Sequence, residues 1–465
     1  MPLSAPMTRD TPHLPRTLGL LDLILLKVVA IINVSLLPPV AGFGRASLWL
    51  WGTAFLLFFV PEAVAVLALA RRFPDEGGLY VWARRQFGEV HGFISGWCYW
   101  TGNLFYFPMQ LVYLAGVLAY AGGGVSAELV DEKWFVSSVA FGWLALATGA
   151  NILGMRVGKW LPNVGAFGTA ATVALIVGAG VSATRSGTAP DVPFALVSGW
   201  EMLSGLSVMC FAFMGLELAS LMGGEMRHPG RDLPRAAAVA GVVTLAAYLG
   251  VTWSLQALLP SEDITAIQGI LQGVDQAALR LGLQSAVGPL AIVMAVSIGG
   301  GLAAWYAGST RVPFVAGFDN ALPAALGRVH PRWGSPWVAL LVQASLSALF
   351  VLMTLYGSTV AEAYQVMLKS SVVTTLVPFC YMFAGLVVLR DVGWLSRLAG
   401  LTGFLVSFTG LLAGFVPTSD VDDVFVFELK LVAGAVVPLA VGLALFARSR
   451  RAGRRGALGT GAVAD

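Results

Sequence analysis

Charge is what this chain has least of: Asp, Glu, Lys and Arg make up 11% of its 465 residues, whereas 57% are hydrophobic and the mean hydropathy is +0.80. That composition excludes a soluble globular domain and describes a polytopic membrane protein. Cysteine is nearly absent. Cys98, Cys210 and Cys380 all lie in apolar runs, so no disulfide framework is expected and they read as small buried hydrophobes. The four histidines, His13, His91, His228 and His330, are scattered through polar or boundary segments without metal-ligand spacing, so no metal is implied. Gly158-Lys159 is followed by Trp160 and lacks the earlier glycine of a phosphate-binding loop, so neither ATP nor any other cofactor is expected. Nucleic acid is not expected either, because the basic residues sit in short segments between apolar runs. No cleavable leader is read: Met1 to Thr17 is polar, and the apolar run from Leu18 is of span length without a small-residue cleavage pattern.

What the chain does have is long apolar runs. At about 20 residues per span, they predict helices near 18–40, 47–70, 91–120, 134–153 and 160–184. A second group falls near 200–224, 237–259, 286–309, 336–356 and 363–389, and two more near 395–415 and 428–447 make twelve. An even count returns the carboxyl terminus to the side of the amino terminus. Most of the 28 Lys and Arg lie on that side, including five between Arg448 and Arg455, and only Arg45, Lys133, Arg185, Arg280 and Lys430 fall opposite. The excess places both termini in the cytoplasm, with the protein in the inner membrane.

Among the outer segments only Pro260 to Ser285 is long. Ser261 as a cap, Glu262 and Asp263 in a first turn, and Ile264, Ile267, Leu271, Val274, Ala278 and Leu281 at helical spacing predict an amphipathic helix over the outer face. It serves either as a lid or as a passive connector. The Gly, Ala and Arg tail after Ala447 is expected to be disordered, with at most a weak attraction to anionic lipid.

Several spans are irregular in ways that packing does not require. In Asn33-Val34-Ser35-Leu36-Leu37-Pro38-Pro39, two prolines remove backbone donors and clash with the preceding turn. The freed groups near Val34 and Ser35 need partners from protein, water or ligand, which points to a cavity, or else to a plain proline kink. In the sixth span, Gly205, Gly215, Gly223 and Gly224 weaken a helix that holds Glu217. A charged carboxylate there costs about 2.5 to 3.5 kcal/mol on insertion scales, so Glu217 needs a partner or a proton. It reads as a proton carrier, or as a neutral acid hydrogen-bonded between helices. Lys27, near mid-bilayer at about 1.5 Å per residue, should face protein. Glu62 follows Pro61 in the second span and is a possible partner for Lys27, whereas the stem of Lys369 can reach the outer interface. The aromatic run Trp97 to Phe107 and the triple glycine Gly299 to Gly301 read first as packing.

Three stretches, in order, resemble the amino acid/polyamine/organocation superfamily of secondary transporters, from Leu18 to about Arg390. The first is Phe73-Pro74-Asp75-Glu76-Gly77-Gly78-Leu79-Tyr80-Val81-Trp82 with Phe87-Gly88, Gly92-Phe93 and Gly96-Trp97. The second is Phe213-Met214-Gly215-Leu216-Glu217 with Gly224-Glu225-Met226, Pro229, Arg231-Asp232 and Pro234. The third is Arg311-Val312-Pro313 with Asp319, Pro323, His330-Pro331 and Pro336.

The resemblance implies an all-α membrane protein of twelve transmembrane helices. Two inverted five-helix repeats of the leucine-transporter type would be followed by two extra helices, with substrate at the midplane between broken first and sixth helices. The Glu217 position is similar to the glutamate that couples gating to protonation in many relatives. Where many relatives have a Gly-x-Gly turn, this chain has Asn33, Val34 and Ser35. Polyamine-type branches tend to place an acid where Asn33 stands, so a polycation loses a counter-charge here. Lys27 replaces what is commonly a glycine, and is a candidate for the fixed positive charge that stands in for sodium in some proton-coupled relatives.

The expected organisation is a cytoplasmic tail at 1–17, a first repeat at 18–184, an external loop at 185–199, a second repeat at 200–390, two extra helices at 391–447 and a cytoplasmic tail at 448–465. The expected function is proton-coupled transport of an amino acid or related small amine, not enzymatic catalysis. Asn33, Val34, Ser35, Phe213 and Gly215 would bind substrate, and Glu217 with Lys27 would handle the proton. The small-molecule substrate, protons and membrane lipid are the partners this requires, and oligomeric state is not read. An exchanger of the same fold is the near alternative, and a non-transporting nutrient sensor is the alternative from another class.

Overall fold

The computed structural model describes residues 16–73, 77–122, 129, 132–192, 200–222, 225–265, 269–319, 321–357, 360–416 and 424–460. Pro74 to Glu76, Gly223, Gly224 and Ile267, all used in the sequence reading, lie outside the described residues. Those described are helical apart from turns, loops and one isolated parallel bridge between Leu18 and Met226. In chain order the apolar helices are α1 (Leu20–Ala41), α2 (Ala46–Arg72), α3 (Glu89–Gly122), α4 (Lys133–Ile152), α5 (Met155–Arg185) and α6 (Trp200–Phe213). They continue as α7 (Pro229–Leu258), α8 (Gln284–Gly317), α9 (Trp337–Met353), α10 (Tyr364–Val388), α11 (Trp394–Ala413) and α12 (Phe425–Arg451). Among the described residues ten of these are long and apolar enough to cross a membrane, and the α9 helix continues to Gly357, 21 residues in all. The protein is therefore multi-pass.

Burial divides these helices into a core and a jacket. In its most apolar stretch α3 is 89% buried and α12 only 11%, so α3 forms the central post and α12 rests on the outside. The aromatic run of α3 packs mostly inward, and Tyr99, Phe107 and Tyr113 have no exposed surface. Apolar side chains such as Phe167 and Leu175 on α5, Leu401, Leu405 and Phe408 on α11, and Val436 on α12 stay exposed. No water-soluble protein sustains so large an apolar surface; here it faces hydrocarbon.

The three motif regions converge on one face, the face that bears the amino-terminal segment. Gly77 and Gly78 adopt φ +105 and +42. A Cβ on Gly78 would stand 3.0 Å from side-chain atoms of Leu221 and Ser220, so the glycine turn fits directly against the turn that follows Glu217. Arg84, on the interhelical segment Leu79–Phe87, pairs with Asp319 just after α8. Arg311 donates from Nε and Nη2 to Glu225 Oε1 over 2.9 and 2.6 Å, with both residues buried. The amides of Thr17 and Leu18 donate to the Glu225 carbonyl over 2.9 and 3.0 Å, and the Arg227 amide to the Leu18 carbonyl over 3.0 Å. The start of the chain is thereby sewn to the end of the sixth-span region.

Two expectations change. The outer segment forms a short 3-10 turn at Ser261–Asp263 and then a helix at Gly269–Leu281, with Ile270, Leu271, Val274 and Ala278 buried; the Ser261 hydroxyl has no hydrogen-bond partner among the described residues. The last helix runs on through the tail to Thr460 instead of ending near Ala447. Ala and Arg are strong helix formers, and they extend a helix already nucleated in α12.

Candidate functional site

Two helices lose their backbone ladders opposite each other. α1 is helical to Ile31, departs at Ile32 and Asn33, and resumes as a 3-10 turn at Val34–Leu36 leading into Pro38 and Pro39. α6 stops at Phe213, Gly215 takes φ +135, and a single turn at Leu218–Leu221 follows. A Cβ on Gly215 would lie 2.8 Å from Ile31 Cγ1, so glycine is required both for the backbone angle and for the approach of the two breaks.

In hydrocarbon every freed backbone group needs a partner, and side chains supply several. The Tyr248 hydroxyl lies 2.5 Å from the Ile31 carbonyl oxygen and 2.7 Å from that of Ala212, bridging the breaks with a single hydrogen. Trp305 Nε1 donates to the Ala30 carbonyl over 2.9 Å. Asn33 caps its own break: its Oδ1 accepts from the Ser35 amide at 3.2 Å and from Gln110 Nε2 at 3.1 Å, while its Nδ2 donates to the Tyr106 hydroxyl at 3.0 Å. The Ser35 hydroxyl lies 2.6 Å from both Asn33 Oδ1 and Gln110 Oε1.

Between the breaks lies a cavity of about 10 Å³, roughly the room one water needs. Asn33, Asn103, Tyr106, Phe211, Trp305 and Thr375 are among the residues that line it, and none of the described residues lining it is Asp, Glu, Lys or Arg. This is a closed site with aromatic walls and neutral polar groups, with no room as it stands for a solute larger than water.

Of the residues expected to bind substrate, Asn33 lines the cavity. Val34 and Ser35 are buried behind it in the 3-10 turn. The Phe213 ring turns away to pack against Trp51, Phe55, Phe59 and Tyr248, with centroids 5.2 to 5.8 Å apart. The cavity wall belongs to Phe211, two residues earlier. Gly215 takes part through its amide, which donates to Glu217 Oε2 over 2.8 Å.

The ionisable groups gather beside the breaks, toward the face of the amino-terminal segment. Lys27, Glu62 and Glu217 are 1%, 0% and 0% exposed. Lys27 Nζ donates to the Leu216 carbonyl over 2.6 Å, Tyr99 donates its hydroxyl to Glu217 Oε1 over 2.8 Å, and the Glu62 carboxyl meets that of Glu217. Lys369 is buried in α10 instead of reaching the interface. Sequence reading finds Lys27, Glu62 and Glu217 because charge is rare in apolar runs. It misses Tyr99, hidden in a run of aromatics, and Tyr248, a lone tyrosine in an apolar span with no motif around it.

Residues 18–431 match the model of a family described as amino acid permease. The chain is 26% identical over 454 residues to an uncharacterized transporter of Legionella pneumophila, covering 91% of this chain and 95% of that protein. It is 26% identical over 361 residues to the serine/threonine exchanger SteT of Bacillus subtilis, covering 75% and 79%. Identity to the probable agmatine/putrescine antiporter AguD of Lactococcus lactis is 23% over 337 residues, 70% of each chain. The family match runs through both helix breaks, all three motif regions and the buried Lys27, Glu62 and Glu217, and on that ground the chain belongs to the amino acid permease family of the amino acid/polyamine/organocation superfamily.

Proposed function

We propose that this protein is a secondary active transporter of an amino acid or related small amine, coupled to protons and working by alternating access. One observation carries the reading: two broken helices face each other across a closed cavity, with a buried carboxyl at the second break. In this reading the chain crosses the inner membrane twelve times. Residues 18–184 and 200–390 form two inverted five-helix repeats, 391–447 adds two helices, and both termini are cytoplasmic.

Asn33, with backbone groups of Val34, Ser35 and the Phe213 to Gly215 segment, binds the polar end of the substrate while Tyr106, Phe211 and Trp305 enclose its body. A lining without a charged side chain supports a zwitterion over a polycation, since a second ammonium would be buried without a counter-charge. Glu217 exchanges the proton. Its carboxyl is tied to the Gly215 amide and to Tyr99, so a change in its charge acts directly on the hydrogen bonds that fix the second break. Lys27, bonded to Leu216 at that break, serves as the fixed positive charge.

An exchange mode is the second reading, supported by the names of two relatives, an exchanger and a probable antiporter. Purified protein in liposomes separates the two with labelled serine, threonine and putrescine. Accumulation driven by an imposed pH gradient, and lost in Glu217→Gln, supports proton-coupled uptake. Counterflow without net uptake supports exchange, and absence of both with every probe overturns the transport assignment for these classes.

A further inference from the structure

We infer that Glu62 and Glu217 hold one proton between them, and that this shared proton, not a proton on Glu217 alone, is the coupled ion. The inference deepens the proton-coupled reading above and rests on it for its consequence in transport. The two carboxyls differ in what surrounds them. Both Glu217 oxygens have donors, the Tyr99 hydroxyl at 2.8 Å and the Gly215 amide at 2.8 Å. Neither Glu62 oxygen receives an N–H or O–H from any described residue, although the side chain has no exposed surface. The Leu216 amide is nearby, and the group the Glu62 carboxyl faces is the carboxyl of Glu217.

Two ionised carboxylates in contact repel, and a buried carboxylate without donors is among the least stable groups a protein can hold. One proton removes both difficulties. Glu62 becomes a donor, and Glu217, already oriented by Tyr99 and Gly215, becomes its acceptor.

The other titratable groups that face the pair are few. Lys27 of α1 stands within charge range of both acids, Tyr99 of α3 is bonded to Glu217, and Cys210 of α6 is near Glu62. With one shared proton, a cationic lysine, one carboxylate and one neutral acid sum to zero. With none the cluster is anionic and with two it is cationic, and a low-dielectric interior disfavours both.

The backbone of α2 fits the same reading. A π turn at Phe55–Phe59 ends just before Pro61. Such a turn changes the phase of the side chains that follow, and π turns recur at functional sites. Here the residue set facing the core is Glu62. Because the two acids sit on α2 and at the α6 break, separating these elements during transport pulls the donor from its acceptor and frees the proton.

Infrared difference spectroscopy between acid and alkaline pH tests this on the purified full-length protein in lipid nanodiscs, without any substrate. The expected result is one protonated-carboxyl band at neutral pH that is lost in both Glu62→Gln and Glu217→Gln, since either remaining acid ionises opposite Lys27. Survival of the band in either variant overturns the sharing. Should those variants not fold, Tyr99→Phe is read instead. Loss of one donor to Glu217 should shift the band while keeping its area, and an unshifted band overturns the proposal. The liposome assay separates the two levels. The expected band pattern without proton-driven uptake of serine or putrescine faults the transport reading alone, whereas proton-driven uptake without that pattern faults the shared proton alone.

Discussion

The Lys27 ammonium lies 2.6 Å from the Leu216 carbonyl oxygen, so a cation on the first span holds the break of the sixth. Lys27→Met removes the cation facing two buried acids and leaves a buried carbonyl without this donor. Loss of about 3 to 5 kcal/mol is expected, the usual scale for breaking a buried charge pair. It would appear as a lowered thermal unfolding midpoint in detergent, and an unchanged midpoint would show that the contact contributes nothing.

Among the described residues the cavity lining offers no acid to a second ammonium. Asn33→Asp supplies one at the first break, where a charge-assisted hydrogen bond contributes about 1.5 to 3 kcal/mol. Putrescine affinity should rise by about tenfold or more, measured by isothermal titration. Equal affinity in both proteins would mean that diamines do not reach this cavity.

Arg311 and Glu225 form a buried pair, 3% and 1% exposed. Arg311→Met alone is expected to destabilise by about 3 to 5 kcal/mol, because it strands the carboxylate, and Arg311→Met with Glu225→Leu should recover most of that loss. Midpoints for both single variants and the double variant complete the cycle. A double variant no better than the single one would assign the loss to packing instead of stranded charge.

Helices α5 and α8 meet with backbone against backbone at Gly165 and Gly300. A Cβ on Gly300 would stand 2.3 Å from Gly165 Cα, so Gly300→Ala forces the helices apart, with an expected loss of about 1 to 3 kcal/mol. Gly142 on α4 has nothing within 4 Å of a built Cβ. There Gly→Ala should instead stabilise by about 0.5 to 1 kcal/mol. Parallel melting curves of the two variants test the contrast.

Much of this site can be read from the chain because its signals are local. Two adjacent prolines announce the first break, and a carboxylate beside a glycine in an apolar run announces the second. The partners are another matter. Tyr248 lies 217 positions from Ile31 and Tyr99 118 positions from Glu217, and no local pattern encodes such a distance. Phe213 illustrates a subtler limit. It sits at the break and was expected on the substrate, but α6 ends at that residue, and its ring turns toward Trp51 and Phe59 while Phe211 keeps the cavity wall. The ten helices long enough to span were visible as apolar runs, whereas the stop of α6 at Phe213 is a break that hydropathy averages away.

Tyr248 has one hydrogen and two carbonyl oxygens within reach, on Ile31 and Ala212. That hydrogen is shared as a three-centre bond, so each oxygen is held more weakly than by a donor of its own. An N–H group brought to this junction would offer the second oxygen a full donor and loosen the tie between the two breaks.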